Sequence, residues 1–143
     1  MKLAIGCDHG AIELKEQLVA HLEKKGYEVI DKGTYTKDSC DYPVYAKQVC
    51  ESVLSSEAEL GILLCGTGIG MSIAANKVKG IRAALCSDCF SAQATREHNN
   101  ANVLCMGARV LGPELAFRIA DTFLESKFSN DERHIRRISM LED

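Results

Sequence analysis

The sequence contains no tryptophan, only two prolines, and no apolar run approaching the ~20 residues that span a bilayer. The amino-terminal stretch MKLAIGCDHG lacks the apolar core of a signal peptide. A net charge of −3 excludes a general positive surface for nucleic acid or anionic lipid. We therefore expect a cytoplasmic protein with no membrane partner and no nucleic-acid partner, in which any anion site is local.

Disulfide bonds are not expected either. The seven cysteines are odd in number, and Cys7, Cys65, Cys86 and Cys105 lie in or at the end of apolar, strand-like runs. Free thiols in a reducing compartment fit this pattern better than a disulfide framework. Cys86 and Cys89 form a single CxxC, which is typical of a redox pair or half a zinc site. Because no second CxxC and no histidine pair accompany it, we expect no metal site.

The chain does contain a regular alternation of apolar runs and helical periodicity. Its 143 residues fit one domain. No hairpin signals separate the apolar runs, which are KLAIG, YEVID, LGILLC, IRAALC and NVLCMG. The alternation predicts a single α/β domain over residues 1–143, a three-layer α/β/α sandwich around a Rossmann-like, five-stranded parallel sheet. Helices are predicted at 68–77, at about 88–98 and from about 131.

Ligands of such folds bind at the carboxyl ends of the strands. These ends bring chemically useful side chains to one edge of the predicted sheet. They carry Cys7-Asp8-His9, the Asp31 region, Cys65-Gly66-Thr67, Cys86-Ser87-Asp88 and Met106-Gly107-Ala108-Arg109.

The stretch LLCGTGIGMSIAANK, residues 63–77, joins a strand to a helix through three glycines. Gly66, Gly68 and Gly70 let the backbone approach an anion where a helix begins and N–H groups are free. A tight turn without a ligand gives the same pattern. The dinucleotide fingerprint G-x-G-x-x-G fails at Met71 and normally follows the first strand, although Asp88 lies at a suitable distance for a ribose-binding carboxylate. The loop favours anion binding over dinucleotide binding.

Cys65 stands immediately before this glycine loop. Backbone N–H groups and the positive end of a helix dipole stabilise a thiolate, which suits a general base. The same N–H groups can stabilise an oxyanion, and the Thr67 hydroxyl lies beside both. The alternative is a buried strand cysteine without chemistry.

Two histidines are further candidates. Asp8 is expected to cap the first helix, and His9 faces the same rim as Cys65. His98 stands in the segment EHNNAN near a helix end. This histidine is either part of an ordinary helix terminus or a catalytic residue.

Arginines provide the only concentrated positive charge. The segment RHIRR places Arg133 and Arg137 one helical turn apart on one face, and Arg109 follows the fifth strand. These arginines are either solvated surface residues or a phosphate clamp, since guanidinium pairs well with phosphate oxygens.

Taken together, these segments are similar to the type B ribose-5-phosphate isomerases. Allose-6-phosphate and galactose-6-phosphate isomerases belong to the same family. The resemblance covers residues 2–137 in order and rests on GCDHG, IDKGTYT, DYP, CGTGIGMSIAANK, GIRAALC, EHNNANVLCMGARV and RHIRR. It implies interconversion of ribose 5-phosphate and ribulose 5-phosphate through an enediolate, in the pentose phosphate pathway, without a cofactor or metal.

The resemblance also implies roles for individual residues. Cys65 corresponds to the base that moves a proton between C2 and C1, and Thr67 to its helper. His98 corresponds to the group that opens the sugar ring, with Asp8 near the ring oxygen. Further implied contacts are the backbone N–H groups of Gly66, Thr67, Gly68, Ile69 and Gly70 with the enediolate, Tyr42 and Asn99 with the sugar, and His9, Arg109, Arg133 and Arg137 with the phosphate.

The family's site lies across a subunit interface. The resemblance therefore implies a homodimer or a dimer of dimers, in which residues 98–109 reach the neighbour's site. After Asp8-His9 the family usually has a small residue, a glycine and an aromatic, whereas this chain has Gly10-Ala11-Ile12. The preferred sugar phosphate stays open, with allose 6-phosphate or galactose 6-phosphate as alternatives to ribose 5-phosphate. A non-catalytic phosphate- or nucleotide-binding module and a thiol redox protein are the rival classes.

Overall fold

A computed structural model describes all residues from Met1 to Asp143. It contains one sheet of five parallel strands in the order β2-β1-β3-β5-β4. The fold predicted from the alternation of strands and helices is confirmed. The strands are β1 (Lys2–Cys7), β2 (Glu28–Asp31), β3 (Leu60–Cys65), β4 (Ala83–Leu85) and β5 (Val103–Gly107).

Six helices accompany the sheet, and none is both long and apolar enough to span a membrane. The predicted limits of α3 and α4 and the predicted start of α6 lie within about one residue of the observed bounds, as is usual for helix termini. The helices are α1 (Ile12–Lys24), α2 (Tyr42–Leu54), α3 (Ile69–Asn76), α4 (Cys89–Asn99), α5 (Pro113–Glu125) and α6 (Glu132–Leu141).

The core lies on both faces of the sheet because side chains alternate along each buried strand. In β3, Ile62 and Leu64 pack on the face covered by α1, α4 and α5. Leu63 and Cys65 pack on the opposite face, which α2 and α3 cover. The two clusters lie between the sheet and the two helix layers of a three-layer sandwich, and the second places the Cys65 side chain toward α3.

Parallel strands give the sheet two distinct edges. The carboxyl edge contains the strand ends Cys7, Cys65 and Gly107, whereas the strand starts Leu60 and Val103 mark the amino edge. Helix α4 starts just after β4, at the carboxyl edge, and its last residues lie just before β5, at the amino edge. Nine residue steps separate the start of α4 from position 98, which corresponds to about 14 Å along the helix axis.

Candidate active site

Cys65 is held at the start of α3 by a backbone hydrogen bond. The N–H of Gly68 donates to Cys65 Sγ over 3.1 Å, and the side chain is buried. Gly68 has φ +80° and precedes the first residue of α3. A Cβ at position 68 would lie 2.8 Å from the carbonyl carbon of Met106, so only glycine fits this turn. The turn places an N–H donor and the positive end of a helix dipole at the thiol sulfur.

Three of the five N–H groups expected in the cradle are open to a ligand. Besides Gly68, the N–H of Ile69 is already used, because it donates to Thr67 Oγ1 over 3.2 Å. The N–H groups of Gly66, Thr67 and Gly70 make no hydrogen bond within the chain. Of the five N–H groups predicted to line the cradle over residues 66–70, two thus already donate within the chain, one to the sulfur and one to the loop.

The loop that follows β5 holds the glycine loop in place through backbone hydrogen bonds. Ala108 N–H donates to Cys65 O, and Arg109 N–H donates to Gly66 O, each over 2.9 Å. The Arg109 side chain covers Gly66, where an added Cβ would meet Arg109 Cδ at 3.4 Å, and its Nη2 lies near Gly10. Arg109 is exposed and forms no ion pair. Its charge is therefore available to an anion beside the loop.

Asp8 and His9 lie on the same side, but Asp8 does not cap α1. Its Oδ1 accepts a hydrogen bond from Gly10 N–H over 2.9 Å, and Ala11 occupies the N-cap position. The predicted cap was wrong because α1 begins four residues after Asp8, beyond the reach of an N-cap side chain. Cys40 N–H donates to His9 Nδ1 over 3.3 Å. A neutral His9 therefore carries its proton on Nε2, where it can donate to a ligand.

Tyr42 completes this side of the site. It is the first residue of α2, and a Cβ at Gly70 would lie 2.7 Å from Tyr42 Cζ. The ring thus covers the first turn of α3. We call this group at the carboxyl edge the thiol half-site; it comprises Asp8, His9, Tyr42, Cys65, Gly66, Thr67, Gly68, Ile69, Gly70 and Arg109.

The remaining predicted site residues lie elsewhere, at the end of α4 and on α6. His98 and Asn99 are the last two residues of α4, and both are exposed. Arg133 and Arg137 are exposed on α6, which packs against α4. Arg137 has no ion pair, and Arg133 has only a long contact of 3.9 Å with an exposed carboxylate. We call these four residues the histidine half-site.

Sequence reasoning missed His134 and Ser129, which hold the histidine half-site together. The ring of His134 packs against that of His98, with centroids 4.7 Å apart. His134 is buried, and its Nδ1 lies 2.6 Å from Ser129 Oγ, while Ser129 N–H donates to Glu97 O. Desolvation, followed by the charges of His98 and Arg133, lowers the pKa of His134. Helical periodicity could have identified His134, because it falls on the inward side of α6 together with the half-buried Ile138.

The two half-sites lie at opposite edges of the sheet within one chain. The stretch 98–109 therefore does not act as one arm, because β5 carries it from the amino edge to the carboxyl edge. The four residues predicted to bind phosphate are likewise divided. His9 and Arg109 belong to the thiol half-site, and Arg133 and Arg137 to the histidine half-site.

Two of the alternative interpretations, a redox pair at Cys86 and Cys89 and a ribose-binding Asp88, are disfavoured by the structure. Burial, followed by the charge of Asp88, raises the pKa of the Cys86 thiol to about 11, which makes it a poor redox nucleophile. Asp88 itself caps α4, since its carboxylate accepts hydrogen bonds from the N–H and hydroxyl of Ser91. All seven cysteines are free, and no three His, Cys, Asp or Glu side chains group as metal ligands.

Comparison with known proteins points to one family. The family model described as Ribose/Galactose Isomerase matches residues 3–141. Ribose-5-phosphate isomerase B of Escherichia coli is 51% identical over 140 residues, which cover 98% of this chain and 93% of that protein. Galactose-6-phosphate isomerase subunit LacB of Clostridium acetobutylicum is 48% identical over 128 residues, covering 90% of this chain and 74% of the relative.

Solved structures agree with the sequence relatives. Ribose-5-phosphate isomerase B of Clostridium thermocellum superimposes with a TM-score of 0.97 at 49% identity, covering 99% of this chain and 95% of the other. The ribose 5-phosphate isomerase of Thermotoga maritima gives 0.96 at 56% identity, covering 99% and 97%. The resemblance first noted in the short motifs thus extends over the whole fold, and the chain belongs to the ribose/galactose isomerase family.

Proposed function

We propose that this protein interconverts D-ribose 5-phosphate and D-ribulose 5-phosphate through an enediolate, a reaction of the pentose phosphate pathway. The observation that carries the proposal is the Cys65 sulfur, held by Gly68 N–H beside the open N–H groups of Gly66, Thr67 and Gly70. A base beside its own anion hole is what aldose–ketose isomerisation requires. The names of the relatives from Escherichia coli and Clostridium thermocellum support the choice of substrate.

The proton transfer is assigned to Cys65. As a thiolate it takes the proton from C2 of the open-chain aldose and delivers it to C1 to give the ketose. The negative charge that develops on the enediolate oxygens faces the open N–H groups of the glycine loop. Thr67, whose hydroxyl is exposed beside the loop, assists the transfer between the two oxygens.

Ring opening is assigned to His98 with Asp8. A cyclic aldose has no free carbonyl, so a proton must leave the C1 hydroxyl and another must reach the ring oxygen. His98 and Cys65 belong to half-sites at opposite edges of the sheet, so a complete site needs His98 from a second copy. The proposed enzyme is therefore a homodimer, or a dimer of dimers, in which each site combines a thiol half-site with the partner's histidine half-site.

Phosphate binding is assigned to cationic side chains that come from two copies of the chain. His9 Nε2–H and Arg109 approach it from one copy, and Arg133 and Arg137 from the other. These exposed guanidinium groups lack strong partners of their own within the chain. The phosphate group is remote from the reacting carbons, so the energy of its binding can hold C1 and C2 of the sugar in the reactive position.

A second candidate is an isomerase of a six-carbon aldose phosphate, since a galactose-6-phosphate isomerase subunit is among the relatives. Steady-state kinetics on ribose 5-phosphate, allose 6-phosphate and galactose 6-phosphate in deuterium oxide separate the possibilities. We expect the highest kcat/KM with ribose 5-phosphate and incorporation of deuterium at the reacting carbons. A higher kcat/KM with a hexose phosphate selects the second candidate. Binding without exchange identifies a non-catalytic module.

A further inference from the structure

Arg82 connects the two helices that carry the histidine half-site. It lies at the amino edge of the sheet, immediately before β4. Its Nε donates to the carbonyl oxygen of Asn99 over 3.0 Å, and its Nη2 to that of Asn100 over 2.9 Å. Its Nη1 donates to Glu142 Oε1 over 2.6 Å. Every nitrogen of this guanidinium therefore has a partner, and the partners belong to the ends of α4 and α6.

The contacts with α4 satisfy groups that the helix itself leaves open. The last carbonyls of a helix have no intrahelical partner. Here Asn100 ends α4 in the left-handed conformation, with φ 47° and ψ 44°. Arg82 supplies two charge-assisted hydrogen bonds to this terminus, which also complement the negative end of the helix dipole. The two peptide groups that follow Asn99 and Asn100, just beyond His98, are thereby held in one orientation.

The contact with Glu142 extends the same support to α6. Glu142 is the residue that follows the last turn of this helix, and Arg133 and Arg137 project from the preceding turns. One planar guanidinium thus binds two elements whose mutual placement sets the distance between the ring-opening group and the phosphate arginines.

The backbone of Arg82 is itself fixed. Its N–H donates to Asn102 Oδ1 over 2.8 Å, and its carbonyl accepts from Asn102 N–H over 2.9 Å. Asn102 Nδ2 in turn donates to Gly80 O. The neighbouring Arg96 does not duplicate the role, because its Nη1 bonds the side chain of Asn100 and the carbonyl of Ala101. Of the side-chain hydrogen bonds in the chain, only those of Arg82 join the α4 terminus to the end of α6.

We propose that Arg82 is a positioning residue of the isomerase, which orients His98 and Asn99 through the α4 carbonyls and the phosphate arginines through Glu142. The inference rests on the function proposed above. It predicts that the two sets of contacts affect different kinetic constants.

Two variants separate these contacts. Arg82→Lys keeps a positive charge near Glu142 but replaces the three nitrogens that reach Asn99 O, Asn100 O and Glu142 with one. We expect kcat for ribose 5-phosphate to fall about 10- to 100-fold with KM nearly unchanged, as for a displaced catalytic group. Glu142→Ala removes the acceptor that links Arg82 to α6 and is expected to raise KM several-fold with kcat retained. Arg118→Lys, on an exposed position of α5, is the matched control and should behave as wild type.

A third readout excludes a merely structural role. Deuterium exchange at C1 of ribulose 5-phosphate depends on Cys65 and needs no ring opening, so Arg82→Lys should leave its rate nearly unchanged. If the exchange rate and kcat fall together, in proportion to the loss of folded protein seen by circular dichroism, Arg82 is structural only. Wild-type kinetics in Arg82→Lys also overturn the positioning role. If the wild-type protein itself fails to isomerise ribose 5-phosphate, the proposed function fails, and this inference with it.

Discussion

The thiol half-site and the histidine half-site are held in place by different means. In the first, backbone hydrogen bonds fix the loop around Cys65, which is buried, and Gly68 is confined to a turn that no other residue fits. In the second, His98 and Asn99 are exposed at a helix end, and side chains such as Arg82 and His134 hold them. Cys65 is thus built into the end of a buried strand, whereas the residues of the histidine half-site are presented outward on two helices.

This difference supports the proposal that one chain carries only part of each active site. A buried thiol beside free N–H groups is organised for one proton transfer. The exposed side chains of His98, Arg133 and Arg137 have no strong ion pair within the chain and are accessible to a ligand or to a second copy. The following substitutions test the two halves separately, beginning with the largest expected effect.

Substitution of the base should have the largest effect. We expect Cys65→Ala or Cys65→Ser to lower kcat by about 10³-fold or more, because a positioned general base is lost. Binding of ribose 5-phosphate, measured by calorimetry, should persist because the arginines remain. Cys89→Ser is the matched control and should retain activity. Near-normal turnover in Cys65→Ala would contradict the assignment of the base.

Substitution of His98 should affect the two directions of the reaction unequally. We expect His98→Asn to slow turnover of cyclic ribose 5-phosphate by about 100-fold or more, within the range for general acid–base catalysis. The open-chain ketose should be affected far less, because it needs no ring opening. Initial rates in both directions check this expectation. Equal losses in the two directions argue against the role of His98.

The phosphate arginines should affect binding more than chemistry. We expect Arg133→Ala or Arg137→Ala to raise KM about tenfold or more, since a hydrogen bond to a charged group contributes roughly 1.5–3 kcal/mol. The change in kcat should be smaller. Arg118→Ala controls for the loss of one surface charge. An unchanged KM in both α6 variants would contradict the assignment of phosphate binding to this helix.

The smallest expected effect concerns the pH dependence of stability. The pKa of His134 is lower in the folded state than in the unfolded state. Protonation of this ring therefore favours the unfolded state. Below the unfolded pKa of about 6.5, wild-type stability should therefore decline relative to His134→Asn. Urea unfolding at pH 7.5 and pH 5 should show the stability advantage of wild type narrowing on acidification. A constant or widening difference contradicts the account of the buried ring.

Much of the fold was predictable because the strands are buried on both faces and separated by helical periodicity. The glycine loop with Cys65 was equally visible, since a strand end followed by glycines and a helix has few alternatives. The absence of a cap at Asp8 was not, because its Oδ1 accepts from Gly10 N–H in a local turn and α1 begins only at Ile12.

The division of the site was also hidden from the local sequence. His98 and Arg109 are eleven residues apart along the chain, yet β5 separates them to opposite edges. The contacts of Arg82 with Asn99 and Glu142 join segments that are distant along the chain, so no short motif could reveal them.

The central claim is that each active site joins the thiol half-site of one copy to the histidine half-site of another. Mixing inactive Cys65→Ala with inactive His98→Asn, followed by subunit exchange, tests it directly. In a mixed dimer one site receives both substitutions and the other receives neither. Random exchange should therefore restore about a quarter of wild-type activity. If activity stays at the level of the separate variants although mixed dimers have formed, Cys65 and His98 do not act across two copies.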